Sequence, residues 1–354
     1  MLNDSGTGLN ARHAVAFNIP PARPLLIASD TLKANHTWYI FTHRKADGDA
    51  LGSANALFEI GINSGRAVKW FSPDKVLPAG YNYLPHFAEH ITADSCSFSD
   101  DSVLYVFLDC ANVSRSVEGF NSSCSSLNID HHEDNSLYAR VNCVDGRASS
   151  TCEVLFRLFK AGGWNITQTV AESLYTGLFT DSGSFSYSNT SPLTHQVAAE
   201  LLSLGLDAGR MTTLITQNKT PAGFKLWGRA MSRVKTWGNI FAVSYLRRED
   251  FAQTGAPITE TEGLPASLMT LIGVKFAVMF TEYPDGQIRA SFRSREGSPF
   301  NAGEFARLLG GGGHERASGA TLTGSLDDCM RNVEELLTAK HLATNHYECS
   351  CSHQ

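Results

Sequence analysis

The feature that most constrains the fold is residues 41–53, which read FTHRKADGDALGS. An apolar run precedes this segment and apolar residues at helical spacing follow it, which predicts a buried strand, a turn and a helix. Open α/β sheets bind their ligands at such turns. The turn contains His43, Asp47 and Asp49, donors that suit a divalent cation, and Gly48 is expected to let the backbone bend so that both carboxylates converge. By itself the segment is equally compatible with an ordinary polar loop.

Length and composition restrict the class of protein. A chain of 354 residues predicts two domains. Its net charge of −6 argues against a general polyanion binder, so any phosphate recognition must be local. The eight cysteines form no Cys-x-x-Cys pair, which predicts free thiols in a reducing cytoplasm. The N-terminus resembles no signal sequence, and the apolar stretch 268–280 is too short to span a membrane, so we expect a cytoplasmic protein.

Further acids and imidazoles follow later elements of the first half: Asp109, Asp130, His131, His132 and Asp181. Residues 102–110 and 126–132 read as buried strands, and a helix predicted over 170–179 leads into a turn of small residues. Adjacent residues on a strand point to opposite faces. We therefore expect one of the two neighbouring histidines to be a ligand and the other a catalytic or substrate-binding imidazole.

Helices account for most of the middle of the chain. Residues 149–153 open a helix that runs through Lys160, with Ser150 and Glu153 at capping-box spacing. We interpret this segment as structural. Further helices are predicted up to about Leu204, over 208–217 and over 221–234, and the last two connect the domains.

The second region alternates strands and short helices. Strands are predicted around residues 237–245, 276–283, 287–293 and 317–322, and helices near 266–273, 301–309 and 326–339. Four glycines, Gly310 to Gly313, precede His314. They indicate either a flexible linker or a surface where backbone N–H groups approach an anion. A strand pattern resumes directly afterwards, which favours the second reading, and several arginines lie nearby in sequence.

As an ordered set, these motifs resemble the four signature motifs of the DHH phosphoesterase family. The glycine-rich run, with Ala317-Ser318-Gly319, resembles the DHH-associated C-terminal domain, and the resemblance covers roughly residues 35 to 340. The chain departs from the family pattern at three loop positions: Ala46, Ser182 and Ser186. In size and layout it is similar to the nanoRNase members of the family.

The resemblance implies an α/β fold with two domains and an active site in the cleft between them. The N-terminal domain would have an open, mainly parallel sheet, and the C-terminal α/β domain would be smaller. The expected boundaries are a flexible arm over 1–22, the catalytic domain over 23–215, a helical connector over 216–235, the substrate-binding domain over 236–342 and an irregular tail over 343–354.

The resemblance also implies the roles of the site residues. His43 and Asp47 would hold one Mn²⁺, and Asp49 and His131 a second, with Mg²⁺ or Co²⁺ as substitutes. Asp109 would bridge the two ions. The remaining roles are Asp181 completing the metal site, His132 stabilising the transition state or the leaving oxygen, Asp130 orienting the histidines, and Arg293, Arg295, Gly311, Gly312, Gly313 and His314 binding the substrate.

The implied function is hydrolysis of short oligoribonucleotides such as pApA, or of 3′-phosphoadenosine 5′-phosphate to AMP. The partners would be these substrates rather than a membrane, and the resemblance allows a homodimer. An inorganic pyrophosphatase would lack the glycine-histidine run, and a RecJ-like exonuclease would need an added domain and a basic, aromatic-lined groove. A non-catalytic nucleotide sensor should have lost ligands, whereas every expected ligand is present.

Overall fold

The computed structural model describes residues 22–217, 219–283, 285–313 and 315–351. The predicted arm, apart from Ala22, and His314 lie outside these described residues. The chain divides into two compact units, Met1–Asn218 and Lys219–Gln354. Within the described parts of the chain, we find no helix with the length and apolar character needed to cross a membrane.

The first unit contains six strands and six α-helices among its described residues. The strands are β1 (Thr37–Phe41), β2 (Ala67–Ser72), β3 (His90–Thr92), β4 (Val103–Leu108), β5 (Ser126–Asp130) and β6 (Val141–Val144). The helices are α1 (Arg23–Ala34), α2 (Gly48–Asn63), α3 (Thr151–Gly162), α4 (Gln168–Asp181), α5 (Pro192–Ser203) and α6 (Ala208–Thr216). Short 3₁₀ helices occupy Ala79–Tyr81, Phe87–Glu89, Ala93–Ser95 and Val113–Arg115.

All six strands of the first unit form one parallel sheet, in the order β3-β2-β1-β4-β5-β6. Side chains alternate between two buried layers, as expected for a parallel sheet that is covered on both faces. On β4, Leu104 and Val106 pack in the larger helical core, whereas Tyr105 and Phe107 pack in an aromatic cluster on the opposite face. The predicted open parallel sheet is confirmed.

The strand order determines where a ligand can bind. β1 lies between β2 and β4, so the chain leaves β1 toward one side of the sheet and later continues from β4 toward the other. The loops after β1 and β4 therefore diverge and leave a crevice at the carboxyl ends of these two strands. The segment beginning at His43 follows β1, and Asp109 follows β4.

The second unit is described from Lys219 onward, apart from residues 284, 314 and 352–354. Its strands are β7 (Lys235–Trp237), β8 (Phe241–Leu246), β9 (Phe276–Glu282), β10 (Ile288–Ser294), β11 (Gly312–Gly313) and β12 (Ala317–Leu322). Its helices are α7 (Pro221–Ser232), α8 (Arg248–Thr254), α9 (Leu264–Ser267), α10 (Ala302–Leu308) and α11 (Leu326–Cys351). Short 3₁₀ helices occupy Ile258–Thr261 and Leu268–Thr270.

The second sheet is mixed and has the order β11-β12-β10-β9-β8-β7, in which only β8 and β9 run parallel. Along β10, Ile288, Ala290 and Phe292 enter the core on one face, while Arg289 and Arg293 lie half-buried on the other. This arrangement confirms the predicted second, smaller α/β region.

Two local predictions about the second unit were wrong. The helix expected over 266–273 is replaced by α9 and the 3₁₀ helix that follows it. The irregular tail expected over 343–354 is helical as far as Cys351, since α11 continues without interruption. Residues 340–351 contain neither glycine nor proline, so nothing in the local sequence ends the helix at Ala339.

Candidate metal centre and substrate-binding residues

The loop after β1 brings three polar side chains to the start of α2. Asp47 caps this helix, because its Oδ1 accepts hydrogen bonds from the backbone N–H groups of Asp49 (3.1 Å) and Ala50 (3.2 Å). Asp49 lies in the first turn of the helix and is buried, as is His43. The three residues therefore lie at the carboxyl edge of the sheet, beside the crevice.

Gly48 serves helix packing rather than the predicted bend. It is not among the glycines whose φ is positive, so its backbone conformation is open to other residues. A Cβ at this position would lie 2.4 Å from the Thr180 hydroxyl oxygen. Any side chain would push the start of α2 away from the end of α4, and α4 ends at Asp181.

The two carboxylate oxygens of Asp109 face different histidines. Its Oδ2 lies 3.3 Å from His43 Nε2, and its Oδ1 lies 3.6 Å from His131 Nε2. Oδ1 also accepts a hydrogen bond from the hydroxyl of Thr151 at 3.1 Å. The residue is buried and adopts a positive φ of 55°, a left-handed conformation that aspartate tolerates better than most residues.

His131 follows the end of β5 and faces three carboxylates. Its Nε2 lies 3.4 Å from Asp181 Oδ2 and 3.9 Å from Asp49 Oδ2, in addition to its contact with Asp109. Its Nδ1 lies 3.3 Å from the carbonyl oxygen of Ala148. Asp181 is the last residue of α4 rather than part of a turn.

Asp130 is fully buried, and its two oxygens accept hydrogen bonds from neighbouring groups. Oδ1 accepts from His132 Nδ1 at 2.7 Å and from the backbone N–H of His131 at 2.8 Å. Oδ2 accepts from the amide of Asn135. Burial alone would lower the pKa of His132, but the hydrogen bond to Asp130 and the charges of Asp109 and Asp130 raise it to about 9. The imidazole is therefore held in a fixed orientation, and the neighbouring carboxylates favour its protonated form.

The start of α3 holds Asp49. The backbone N–H groups of Thr151 and Cys152 donate to the two oxygens of the Asp49 carboxylate, at 2.6 Å and 3.0 Å. Residues 149–153, interpreted as structural, therefore also hold a carboxylate of the candidate metal centre, and Ser150 caps the helix as predicted. The available signal was the helix N-terminus itself, which favours a carboxylate.

Three groups of donors could hold a cation among the described residues, and in each the donor atoms lie within 4.8 Å of one another. The groups are His43, Asp47 and Asp109; Asp49, His131 and Asp181; and Asp109, Asp130, His131 and His132. In the third group Asp130 and His132 are already hydrogen-bonded to each other at 2.7 Å, so the first two groups have the better available donors. They offer carboxylate oxygens and imidazole nitrogens without a thiolate, a set that suits Mn²⁺ or Mg²⁺.

The charges in this cluster also favour a bound cation. The carbonyl of Arg44 lies 2.9 Å from His43 Nδ1, and the carbonyl of Ala148 is in the corresponding place for His131. When the Nδ1–H of each histidine donates a hydrogen bond to the neighbouring carbonyl oxygen, the lone pair of its Nε2 faces the carboxylates. Electron-rich atoms that face each other in this way need a proton or a cation between them. In agreement, burial and then the charge of Asp109 raise the pKa of Asp49 to about 7.

In the second unit, both predicted arginines donate hydrogen bonds to backbone carbonyls, and Nη1 of Arg293 bonds that of Phe292 at 2.9 Å. Arg293 lies near the end of β10, on the half-buried face of the strand, and Arg289 occupies the same face four residues earlier. Arg295 donates hydrogen bonds to the backbone carbonyls of Val274 (2.9 Å) and Met269 (2.6 Å). These bonds occupy two of the nitrogens that were predicted to bind substrate.

The glycine-rich run forms an edge strand. Gly312 and Gly313 make up β11, which pairs with β12, and the N–H of Gly311 donates to the carbonyl of Ala306. A Cβ at Gly311 would lie 2.2 Å from the carbonyl oxygen of Gly319, whereas at Gly312 it would meet no atom within 4 Å. Close strand packing therefore requires the glycine at 311, and the space beside Gly312 is open.

Comparison with known proteins supports this description. Two family models match the chain: the DHH family N-terminal domain over residues 37–178 and the DHHA1 domain over residues 241–339. The chain is 31% identical over 315 residues to the bifunctional oligoribonuclease and PAP phosphatase NrnA of Thermus thermophilus, covering 86% of this chain and 91% of that protein. It is 28% identical over 313 residues to the protein of the same name from Bacillus subtilis, covering 87% and 96%.

A solved structure shows the same fold. The crystal structure of an exopolyphosphatase-related protein from Bacteroides fragilis matches with a TM-score of 0.83 and 24% identity, covering 90% of this chain and 96% of that one. The first family model spans the strands that carry most of the donor groups, and the second spans β8 to β12. The chain therefore belongs to the DHH phosphoesterase family and consists of a DHH domain followed by a DHHA1 domain.

Proposed function

We propose that this protein hydrolyses short oligoribonucleotides to mononucleotides and 3′-phosphoadenosine 5′-phosphate to AMP, with the help of two divalent cations. The observation that carries the proposal is the position of Asp109, whose two oxygens face two different groups of metal donors. The substrate class is supported by the relatives from Thermus thermophilus and Bacillus subtilis, which are named as oligoribonucleases and PAP phosphatases.

The donor groups suggest how the cations are shared. His43 and Asp47 would hold one, Asp49 and His131 the other, with Asp109 between them and Asp181 completing the second group. Mn²⁺ is the preferred ion, and Mg²⁺ or Co²⁺ can replace it. Two divalent cations, when bound, lower the pKa of a water molecule and neutralise charge on phosphoryl oxygens.

His132 is assigned the role of stabilising negative charge on the substrate. Asp130 accepts a hydrogen bond from Nδ1 of the ring, and this contact favours the protonated form of His132. A positively charged donor of this kind can donate a hydrogen bond to a phosphoryl or leaving oxygen, where charge develops during hydrolysis. Asp130 acts through His132, since its Oδ1 accepts the hydrogen bond from His132 Nδ1.

The second unit is assigned the binding of the substrate's terminal phosphate or base. Arg293 supplies a guanidinium that can bind a phosphate with two hydrogen bonds, and Gly312, Gly313 and His314 offer backbone and imidazole donors. Arg295 and Gly311 have smaller parts in this proposal, because two nitrogens of Arg295 and the N–H of Gly311 donate to protein carbonyls. Nη1 of Arg293 also donates to a carbonyl, that of Phe292, so a bound phosphate would compete with that bond.

The proposal is tested with purified protein and Mn²⁺ on a series of 5′-labelled RNAs from two to about twenty nucleotides, beside 3′-phosphoadenosine 5′-phosphate. We expect the dinucleotide to be consumed fastest and AMP to appear from the bisphosphate. The Asp49→Asn variant serves as the control for contaminating nucleases and should be inactive. Preference for the longest RNA, or activity of the variant equal to that of wild type, would overturn the proposal.

Arg293→Ala tests the division of labour between the units. We expect KM for dinucleotides and for 3′-phosphoadenosine 5′-phosphate to rise about 10-fold to 100-fold, because a hydrogen bond to a charged group contributes about 1.5–3 kcal/mol. His314→Ala should act in the same direction. Hydrolysis of bis-p-nitrophenyl phosphate should change little, because this small substrate makes few contacts outside the reacting phosphate.

Two comparisons make the Arg293 measurement decisive. Asp49→Asn should abolish both reactions, because the chemical step itself fails. Arg331→Ala, which removes an exposed arginine of α11, should leave both KM values unchanged. If Arg293→Ala reduced both reactions equally, the arginine would belong to the catalytic machinery or to the fold, and the proposed substrate-binding role would be wrong.

A further inference from the structure

Thr151, the first residue of α3, is fully buried and contacts two carboxylates of the candidate metal centre. Its backbone N–H donates to Asp49 Oδ2 at 2.6 Å. Its hydroxyl donates to Asp109 Oδ1 at 3.1 Å. The two carboxylates follow different strands of the sheet. Thr151 holds both of them, although it is more than forty positions away from either in the sequence.

The orientation of the Asp109 carboxylate matters because its two oxygens have different neighbours. Oδ2 faces His43, whereas Oδ1 faces His131 and lies 3.7 Å from His132 Nδ1. Rotation of the carboxylate would exchange these contacts, or would turn both oxygens toward one cation. The hydroxyl of Thr151 is a neutral donor, so it can hold Oδ1 in place whether or not the imidazoles carry protons.

Thr151 is itself held rigidly. Ser150 caps α3 by accepting from the N–H of Glu153, and the buried Glu153 carboxylate accepts from the hydroxyls of Ser149 and Thr194, both at 2.8 Å. The second of these bonds ties the start of α3 to α5. As a β-branched residue, Thr151 also has few side-chain rotamers available, so its hydroxyl has a well-defined position.

A further contact links the same segment to the remaining acid. The side-chain amide of Asn189 donates to the carbonyl of Ser149 at 3.0 Å and to the carbonyl of Asp181 at 3.1 Å. The residues before α3 therefore connect to the end of α4. Asp49, Asp109 and Asp181 are thus all joined, directly or through one residue, to the segment that ends in Thr151.

We infer that Thr151 is a positioning residue, whose hydroxyl fixes the rotation of the Asp109 carboxylate so that one oxygen faces each donor group. The inference rests on the metal centre proposed above. Partners that orient metal ligands typically change metal affinity or activity by about 10-fold to 100-fold when they are removed. Loss of the hydroxyl should therefore weaken cation binding even though no ligand is lost.

The test compares Thr151→Val, which removes the hydroxyl at nearly constant volume, with Thr151→Ser, which retains it. Binding of Mn²⁺ to protein stripped with a chelator is measured by calorimetry without substrate. We expect Thr151→Val to raise the Kd of the weaker-binding cation about 10-fold to 100-fold, and Thr151→Ser to bind nearly as wild type does. At saturating Mn²⁺, kcat of Thr151→Val should remain reduced while KM for the dinucleotide stays unchanged.

Thr176→Val is the matched control, because Thr176 is also buried and its hydroxyl bonds the carbonyl of Glu172 and the hydroxyl of Tyr83 rather than a carboxylate of the centre. It should bind Mn²⁺ as wild type does. Melting temperatures of the metal-free proteins show whether each variant folds. If Thr151→Val does not fold, it is replaced by Thr151→Ala, which adds no apolar contact.

The outcomes separate this inference from the proposed function. Wild-type Mn²⁺ affinity in folded Thr151→Val or Thr151→Ala would overturn the positioning role and leave the metal centre intact. Equal loss in Thr151→Ser and Thr151→Val would also overturn it, because the hydroxyl would not be the group that matters. Failure of the wild-type protein to bind Mn²⁺ would overturn the metal centre and the inference together.

Discussion

Replacing Asp109 with asparagine should reduce kcat for both the dinucleotide and 3′-phosphoadenosine 5′-phosphate by about 1,000-fold or more, which corresponds to at least about 4 kcal/mol of transition-state stabilisation. The substitution preserves the shape of the side chain but removes the charge that faces both donor groups. Excess Mn²⁺ should not restore activity, because neither cation would keep its shared carboxylate. Asp47→Asn should be partly rescued by excess Mn²⁺, since that residue belongs to one group.

The Asp109 result depends on showing that the variant folds and that the charge change acts locally. Asp207→Asn provides a matched control, because Asp207 caps α6 and asparagine caps a helix about as well as aspartate. This control should retain wild-type activity. Circular dichroism melting curves establish folding for all three variants. A folded Asp109→Asn protein with a tenth of the wild-type rate would show that Asp109 does not serve both donor groups.

Removal of divalent cations should abolish hydrolysis completely, and addition of Mn²⁺ should restore it. We also expect Mn²⁺ affinity to weaken as the pH falls from 9 to 6, because protons compete for the same ligands. Burial and the charge of Asp109 raise the pKa of Asp49 to about 7. For His43, burial alone would lower the pKa, but the hydrogen bond to Asp109 and nearby carboxylate charges raise it to about 9. Both groups must lose their protons to bind a cation.

Activity assays during a chelator titration measure the loss and recovery of hydrolysis. A fluorescent Mn²⁺ indicator, used at several pH values in that range, measures the Mn²⁺ affinity. Chelator that is already saturated with Mn²⁺, and therefore has no capacity left to remove Mn²⁺ from the protein, controls for effects of the chelator itself. Full activity after exhaustive chelation, with no metal detected in the protein, would eliminate the proposed mechanism. Affinity that rises as the pH falls would show that the ligands are not the protonated groups described above.

The positions of His43 and Asp109 were predictable because these residues follow the ends of buried strands. The apolar runs before His43 and Asp109 fit strands that are covered on both faces, and parallel strands end at the same edge of a sheet. Motif order and strand prediction together therefore placed both residues correctly at one edge. The structure added the distances, which show that Asp109 lies between two donor groups.

The contacts that the sequence could not reveal connect residues far apart along the chain. The N–H groups of Thr151 and Cys152 reach Asp49 only because α3 packs against the start of α2. Gly48 is needed because of Thr180, which belongs to another helix. Local composition does not show which distant residue such a segment contacts, so the sequence predicts only a bend at Gly48 and a structural role for residues 149–153.

The glycine-rich run shows the same limit in the second unit. Four glycines indicate either a flexible linker or a surface where backbone N–H groups approach an anion, and neither pattern predicts that Gly312 and Gly313 pair with β12. Arg295 resembles Arg293 in sequence position, yet its guanidinium bonds two backbone carbonyls. Proximity in sequence therefore carried no signal for the backbone carbonyls that each guanidinium bonds.

The most direct test of the central claim is an anomalous difference map, at the manganese absorption edge, from crystals soaked with Mn²⁺. We expect two peaks in each chain. One should lie among His43, Asp47 and Asp109, the other among Asp49, His131 and Asp181, and the carboxylate of Asp109 should contact both. A single peak, or strong peaks away from these donor groups, would contradict the two-cation centre.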